Sequence, residues 1–200
     1  PAIIEELHIP DGEGIRKLYF RVSPFSFLQT NSLGAERLYG LVREWARETA
    51  PAVLYDLYGG AGGMAFACSD LVEQVWSVEI VEDATRDGIT NAAANGIGNV
   101  TFVNAKVKNY LRELILGSGM PPDSAAIVDP PRAGLHPKAL RRLVELAPRD
   151  VLYISCNPKM LAQEMPQLLE VYRLESLRAV DLFPHTRHVE VLARFTFPAF

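Results

Sequence analysis

A chain of 200 residues that is 48% hydrophobic and 22% charged can bury one sizeable core and is too apolar for a disordered segment. Its net charge of -4 excludes a globally basic nucleic-acid binder and leaves only scattered local candidates, Arg132, Lys138, Arg141 and Arg142. No apolar run approaches a membrane span, and two cysteines, Cys68 and Cys156, are too few for a disulfide framework or a cysteine-held metal.

A reducing, cytoplasmic setting is therefore expected. No signal peptide is evident. The chain opens at Pro1 rather than methionine, which leaves a preceding segment open.

Residues 1–24 read as short strands around a turn at Asp11-Gly12. With the linker to residue 31 they are expected to be a cover, or the tail of a preceding domain. Residues 32–200 form the main domain. Ser32 is a candidate cap for a helix over 33–48, with Leu33, Leu38, Leu41, Val42 and Trp45 as its apolar stripe. An apolar run at 53–55 then stops at Asp56, and glycines follow at 59, 60, 62 and 63 before a helix over 64–71. A buried strand feeding a glycine turn into a helix N-terminus is a nucleotide-cofactor pattern. Gly60-x-Gly62-x-x-Ala65 fits it loosely, and Glu79 ends the next apolar run where an acid can grip ribose hydroxyls. This placement suits a nicotinamide cofactor and S-adenosylmethionine equally.

Beyond the loop, strands are expected at 74–79, 100–103, 125–129 and 151–155. Helices are expected at 81–95, 107–116, 136–146 and 159–170, with Pro137 in a first turn. Two closing strands, near 174–182 and 189–195, have no helix between them. The result is an α/β fold with a mostly parallel sheet, helices on both faces and a C-terminal antiparallel edge hairpin.

Four strand ends carry unusual polar residues: Asp56 with its glycines, Glu79, Asp129-Pro130-Pro131-Arg132, and Ser155-Cys156-Asn157-Pro158. In open α/β sheets ligands bind at these ends. The prolines hold Asp129 extended at a strand tip. Arg132 cannot serve as the aromatic platform of the related Asp/Asn-Pro-Pro-aromatic motif of amine methylation. Cys68 sits in an apolar helix and reads as packing. Cys156 lies between a strand and a helix N-terminus, a position that favours the nucleophilic thiolate. His185, His188 and Glu190 invite a zinc reading, but no further spaced ligand supports it, and no metal is expected.

F-L-Q-T-N, D-L-Y-G-G-A-G, V-E, D-P-P-R, S-C-N-P and F-P-H-T-R-H-V-E occur in one order from Phe27 to Glu190. As a set they resemble the RNA uracil-5-methyltransferase family, which modifies tRNA or ribosomal RNA with S-adenosylmethionine. The resemblance implies a Rossmann-like class I methyltransferase fold. It implies cofactor contacts at Gln29, Tyr58, Glu79 and Asp129, beside Asp56, Gly60 and Gly62 of the glycine turn. It further implies Cys156 as nucleophile, Glu190 as proton-accepting base, and an RNA partner. Family members often carry an N-terminal RNA-binding barrel, and these residues hold none. The chain departs from the family at Gly59, where cysteine is usual, and at Gly63, where asparagine or threonine is common. It also has Asn104-Ala105-Lys106 where methyltransferases often place an acid near the adenine. A nicotinamide oxidoreductase, an exocyclic-amine methyltransferase and a catalytically silent RNA-binding relative share parts of the pattern.

Overall fold

The computed structural model describes residues 2–24, 26 and 28–198, so Phe25 and Phe27 of the aromatic stretch lie outside the described residues. The first two strands, β1 (Ile3–Asp11) and β2 (Gly14–Val22), pair antiparallel around the Asp11-Gly12 turn. Alternation buries Leu7, Ile9, Leu18 and Phe20 on one face. Asn91 and Asn95 accept from the backbone N–H groups of Arg21 and Tyr19, both at 2.8 Å. These two side chains cover part of an otherwise open strand edge. Buried Arg43 bonds Asp11 and Asp70, at 2.8 and 2.6 Å, and ties the hairpin to the body of the protein.

Helix α1 (Ser32–Thr49) is capped by Asn31, not by Ser32. The Asn31 Oδ1 accepts from the Gly34 N–H at 3.1 Å, and its amide donates to the Leu182 carbonyl at 2.5 Å. Such a cap is worth about 1 kcal/mol. Leu38, Val42 and Trp45 are buried as the periodicity predicts, but Leu33 is 71% exposed because it lies in the first turn, off their arc.

Among the described residues seven strands form the central sheet. They are β3 (Val53–Leu57), β4 (Gln74–Glu79), β5 (Val100–Asn104), β6 (Ser124–Val128), β7 (Asp150–Ser155), β8 (Arg173–Val180) and β9 (Glu190–Thr196), in the order β5-β4-β3-β6-β7-β9-β8. The first five run parallel, and β9 pairs antiparallel with both β7 and β8. Helices α2 (Gly63–Cys68), α3 (Glu82–Ala94), α4 (Val107–Leu116), α5 (Pro137–Leu146) and α6 (Pro158–Leu169) connect them. The helix expected over 64–71 ends at Cys68 and continues as a 3-10 turn, Ser69–Leu71.

Strand alternation divides the interior. Leu54, Ile127, Leu152 and Ile154 face α1, α2 and the hairpin, while Tyr55, Val128, Val151 and Tyr153 face α4, α5 and α6. The chain winds outward from β3 to β5 and then returns to the other side of β3 at β6. That reversal opens a crevice beyond the carboxyl ends of β3 and β6.

Candidate active site

The crevice begins at Asp56, near the end of β3 and 1% exposed. Its Oδ2 accepts from the Ala65 N–H at 3.2 Å and so anchors the first turn of α2. Its Oδ1 is buried with no protein partner, an orphan acceptor beside the glycine turn. Tyr58 takes a φ of +71° and Gly60 one of +54°. A non-glycine residue held there is strained, which is typical of ligand clamps. Gly62 takes +91°, and a Cβ there would stand 2.9 Å from the Phe66 ring, so this position requires glycine. Glu79 lies across from the turn. Its Oε2 accepts from the Gly60 N–H at 3.1 Å and its Oε1 from the Val81 N–H at 2.7 Å.

A small cavity is lined by Gln29, Tyr39, Asp56, Tyr58, Gly60, Gly63 and Asp129. Seven residues singled out for the cofactor, Gln29, Asp56, Tyr58, Gly60, Gly62, Glu79 and Asp129, therefore lie in or against one crevice. A second cavity of about 470 Å³ continues past Tyr58 between Ile80, Ala105, Pro131 and Leu135. The orphan oxygen of Asp56 and the carboxylate of Glu79, on either side of the glycine turn, fit an adenosine-type cofactor.

The departures from the family pattern acquire physical reasons. A Cβ at Gly59 would stand 2.1 Å from the Ser77 Oγ, so that serine occupies the space a larger residue would need. A Cβ at Gly63 would stand 2.4 Å from the Tyr39 hydroxyl. Tyr39 therefore supplies a polar group where the family often carries its own side chain. Its phenol is pushed well up by burial and by Asp129 and Asp56. The Asn104 amide donates to the carbonyls of Glu79 and Ile80, both at 3.0 Å, and braces the strand end. Tyr39 and Ser77 escape a reading of the sequence because nothing in the spacing of their own elements marks them. Both become visible only against the glycines they face.

Cys156 follows β7 and Glu190 opens β9. The last pair of the β7–β9 ladder is Ser155 with Val191, and Cys156 and Glu190 lie together just past it, close enough for the Glu190 charge to act on the thiol. Glu190 is buried and Cys156 half-buried. Asp129 follows β6, its N–H bonded to the Leu57 carbonyl at 3.3 Å. The Asn157 amide donates to the Arg132 carbonyl at 3.0 Å and ties the Cys156 loop to the Asp-Pro-Pro-Arg loop. The Arg132 guanidinium lies 3.5 Å from the His188 Nδ1. Among the described residues no group of three His, Cys, Asp or Glu is arranged to hold a metal ion, and no helix is long and apolar enough to cross a membrane.

Burial raises the acids, and neighbouring carboxylates add to it at Asp129 and Asp56. Asp129 is pushed up to about 8 by desolvation and by Glu190 and Asp56. Asp56 is pushed up to about 7 by burial, and Glu79 adds to that. Burial also raises Glu190. The thiolate expected at Cys156 is not favoured in the unliganded protein. Burial first, then Glu190 and Asp129, push the thiol up, and together they outweigh Arg132. Cys68 is an apolar core thiol raised to about 12 by burial, as its helix implied.

A pH dependence follows. The folded state holds these protons to higher pH than the unfolded chain, so their contribution to stability is fully present below the unfolded pKa of 3.8 and is lost progressively as pH rises to about 7 and 8. One pKa unit corresponds to about 1.4 kcal/mol, and a chain this size moves about 2–4 °C per kcal/mol, so a melting-temperature fall of at least about 5 °C is expected between pH 5.5 and 8.5. Thermal melts of the ligand-free protein check it, and Asp129→Asn should flatten the slope. A melting temperature that rises over this window would contradict the assignment.

The sheet order and the crevice at its reversal define a class I methyltransferase fold. A ribosomal RNA methylase from Streptococcus thermophilus shares it at a TM-score of 0.65 over 82% of this chain and 98% of its own, with 12% identity. The tRNA (uracil-5-)-methyltransferase family matches residues 2–194, and the chain belongs to that family. It is 40% identical to an uncharacterised RNA methyltransferase of Caldanaerobacter subterraneus subsp. tengcongensis, over 96% of this chain and 43% of the relative. It is also similar to the tRNA (uracil-54, C5)-methyltransferase of Pyrococcus abyssi, solved in complex with S-adenosyl-L-homocysteine. That match has a TM-score of 0.77 and 30% identity, and covers 98% of this chain and 44% of the other. The chain thus spans less than half the length of these two relatives.

Proposed function

We propose that the protein transfers a methyl group from S-adenosylmethionine to carbon 5 of a uridine in structured tRNA or ribosomal RNA, through a covalent adduct at Cys156. The observation that carries this reading is the cysteine close to a buried carboxyl group at the end of the β7–β9 ladder, beside a crevice suited to the cofactor. The cofactor-binding fit rests on Asp56, Tyr58, Gly60, Gly62 and Glu79, with Gln29 and Asp129 at the inner end. The cofactor supplies a methyl group on a cationic sulfonium. Three raised carboxyls around the crevice suit a cation, and its charge offsets the pair that holds the Cys156 thiol up.

Cys156, as thiolate, bonds carbon 6 of the uracil and drives electron density to carbon 5, an otherwise poor nucleophile. Carbon 5 takes the methyl group as the sulfonium bond breaks. Glu190 removes the carbon 5 proton, the ring double bond reforms, and the Cys156 sulfur leaves as thiolate. Asp129, between the two loops, orients the base. The target uridine has to be unstacked to reach Cys156, which favours a loop of structured RNA.

Residues 32–200 form the methyltransferase domain in this reading, and residues 1–31 an N-terminal cover and linker. The two free thiols suit a reducing, cytoplasmic compartment.

The test is nucleoside mass analysis of RNA from cells lacking the gene, incubated with the whole protein and methyl-labelled cofactor. Labelled 5-methyluridine is expected. Label on an exocyclic amine would favour amine methylation, and binding of NAD in place of S-adenosylmethionine would favour an oxidoreductase. Absence of methyl transfer from every RNA offered would favour a silent relative.

A further inference from the structure

We propose that a basic rim on the carboxyl edge of the sheet, formed by Lys106, Lys108, Arg132, Lys138, Arg142 and Lys159, carries the phosphate backbone of the RNA across the mouth of the crevice. This rests on the methyltransferase reading of the site and names the surface that delivers its substrate.

The first observation is a segregation of charge. Among the described residues, none of the six forms an ion pair with a carboxylate. Most cations elsewhere do, among them Arg16 and Arg43 with Asp70, Arg149 with Asp123 and Asp150, and Arg194 with Glu48, while Arg37, Arg112, Arg141 and Arg187 do not. In a chain of net charge -4, six unpaired cations in one region mark a local exception. A surface of this kind attracts a polyanion whatever the sign of the whole protein.

The second is their placement. Lys106 is the N-cap residue of α4 and Lys108 stands in its first turn. Lys138 and Lys159 stand in the first turns of α5 and α6. None of these three helices has an acid in its first turn, whereas α3 has Glu82 and Asp83 there. The positive end of the helix dipole disfavours a cation, so folding stability does not account for these lysines. Cation and dipole act together on a phosphate.

The third is continuity. Parallel strands bring the N-termini of α4, α5 and α6 to the edge that also holds Cys156. The Lys108 Nζ lies 3.3 Å from the His136 Nε2, and Arg142 bonds the Lys108 carbonyl. Lys108, Lys138 and Arg142 crowd one imidazole, which desolvation and these three charges hold below its usual range. The Arg132 carbonyl is held by Asn157, next to Cys156. The rim therefore runs from the cavity beyond Tyr58 to the edge of the nucleophile's loop.

The experiment replaces Lys106, Lys138 and Lys159 together by glutamine in the whole protein. RNA affinity is then measured as a function of salt, with Arg37→Gln on α1 as control. The triple variant should bind RNA at least about tenfold more weakly near 0.1 M salt. Its slope of log affinity against log salt should flatten by about 0.7–0.9 for each phosphate the variant no longer neutralises. Circular dichroism melts verify folding, and single variants replace the triple if it melts early. Affinity and slope equal to the control's, in a protein that still methylates RNA, would overturn the rim. Loss of slope in a protein that methylates no RNA would support the rim while overturning the catalytic reading.

Discussion

Cys156→Ser is expected to abolish both methylated product and covalent complex, while Glu190→Gln is expected to trap the complex. A serine hydroxyl is scarcely ionised near neutral pH, so the attack on carbon 6 fails at the first step. Glutamine keeps the shape of Glu190 but cannot accept the carbon 5 proton, a loss worth about 10²–10⁴-fold in turnover. Addition and methyl transfer still proceed, and elimination stalls. With methyl-labelled cofactor and cognate RNA, label should enter a denaturation-resistant band for Glu190→Gln and vanish from it in the double variant. The two residues lie together at the end of the β7–β9 ladder, just past its last pair, Ser155 with Val191, and the Glu190 charge acts on the Cys156 thiol. Normal turnover by Glu190→Gln would remove its role as base. Normal turnover by Cys156→Ser would remove the covalent mechanism and favour amine methylation.

Gly63→Asn, which restores a residue common in the family, is expected to damage this particular protein. The new Cβ would meet the Tyr39 hydroxyl at 2.4 Å and its ring carbon Cζ at 2.8 Å. Either Tyr39 leaves its buried place or the first turn of α2 moves, and with it the Asp56 bond to Ala65. Overpacking of this kind costs about 1–3 kcal/mol. A lower melting temperature and a cofactor affinity reduced by about tenfold or more should follow. Tyr39→Leu removes the obstructing hydroxyl, so the double variant should recover most of the stability that Gly63→Asn removes. Calorimetry and melts of the two single variants and the double variant form the cycle. Wild-type behaviour of Gly63→Asn alone would show that Tyr39 does not hold that space in solution.

The order of strands and helices is legible in the sequence because hydrophobic runs, glycines and prolines punctuate the chain locally. Asp56, Glu79, Asp129 and Cys156 are legible for the same reason, since each closes an apolar strand where an α/β sheet presents its ligands. Glu190 is not legible in this way. It begins a strand instead of ending one, and only the family resemblance assigns it a role. The cap of α1 falls on Asn31 and not on the expected Ser32. Both are competent caps, and the choice depends on a carbonyl at Leu182, far along the chain.

The sequence by itself determined the class of fold and the crevice-forming strand ends and singled out Cys156 as the candidate nucleophile, because these rest on local periodicity and on residue chemistry at fixed offsets. The tertiary structure alone decided three matters. It set Glu190 against Cys156, because β9 inserts between β7 and β8 in antiparallel register. It filled the spaces beside Gly59 and Gly63 with Ser77 and Tyr39, from other elements. It also reversed the expected ionisation of Cys156. A helix terminus can be read along the chain, but the burial and the two carboxyls that oppose it come from strands that meet only in the folded protein.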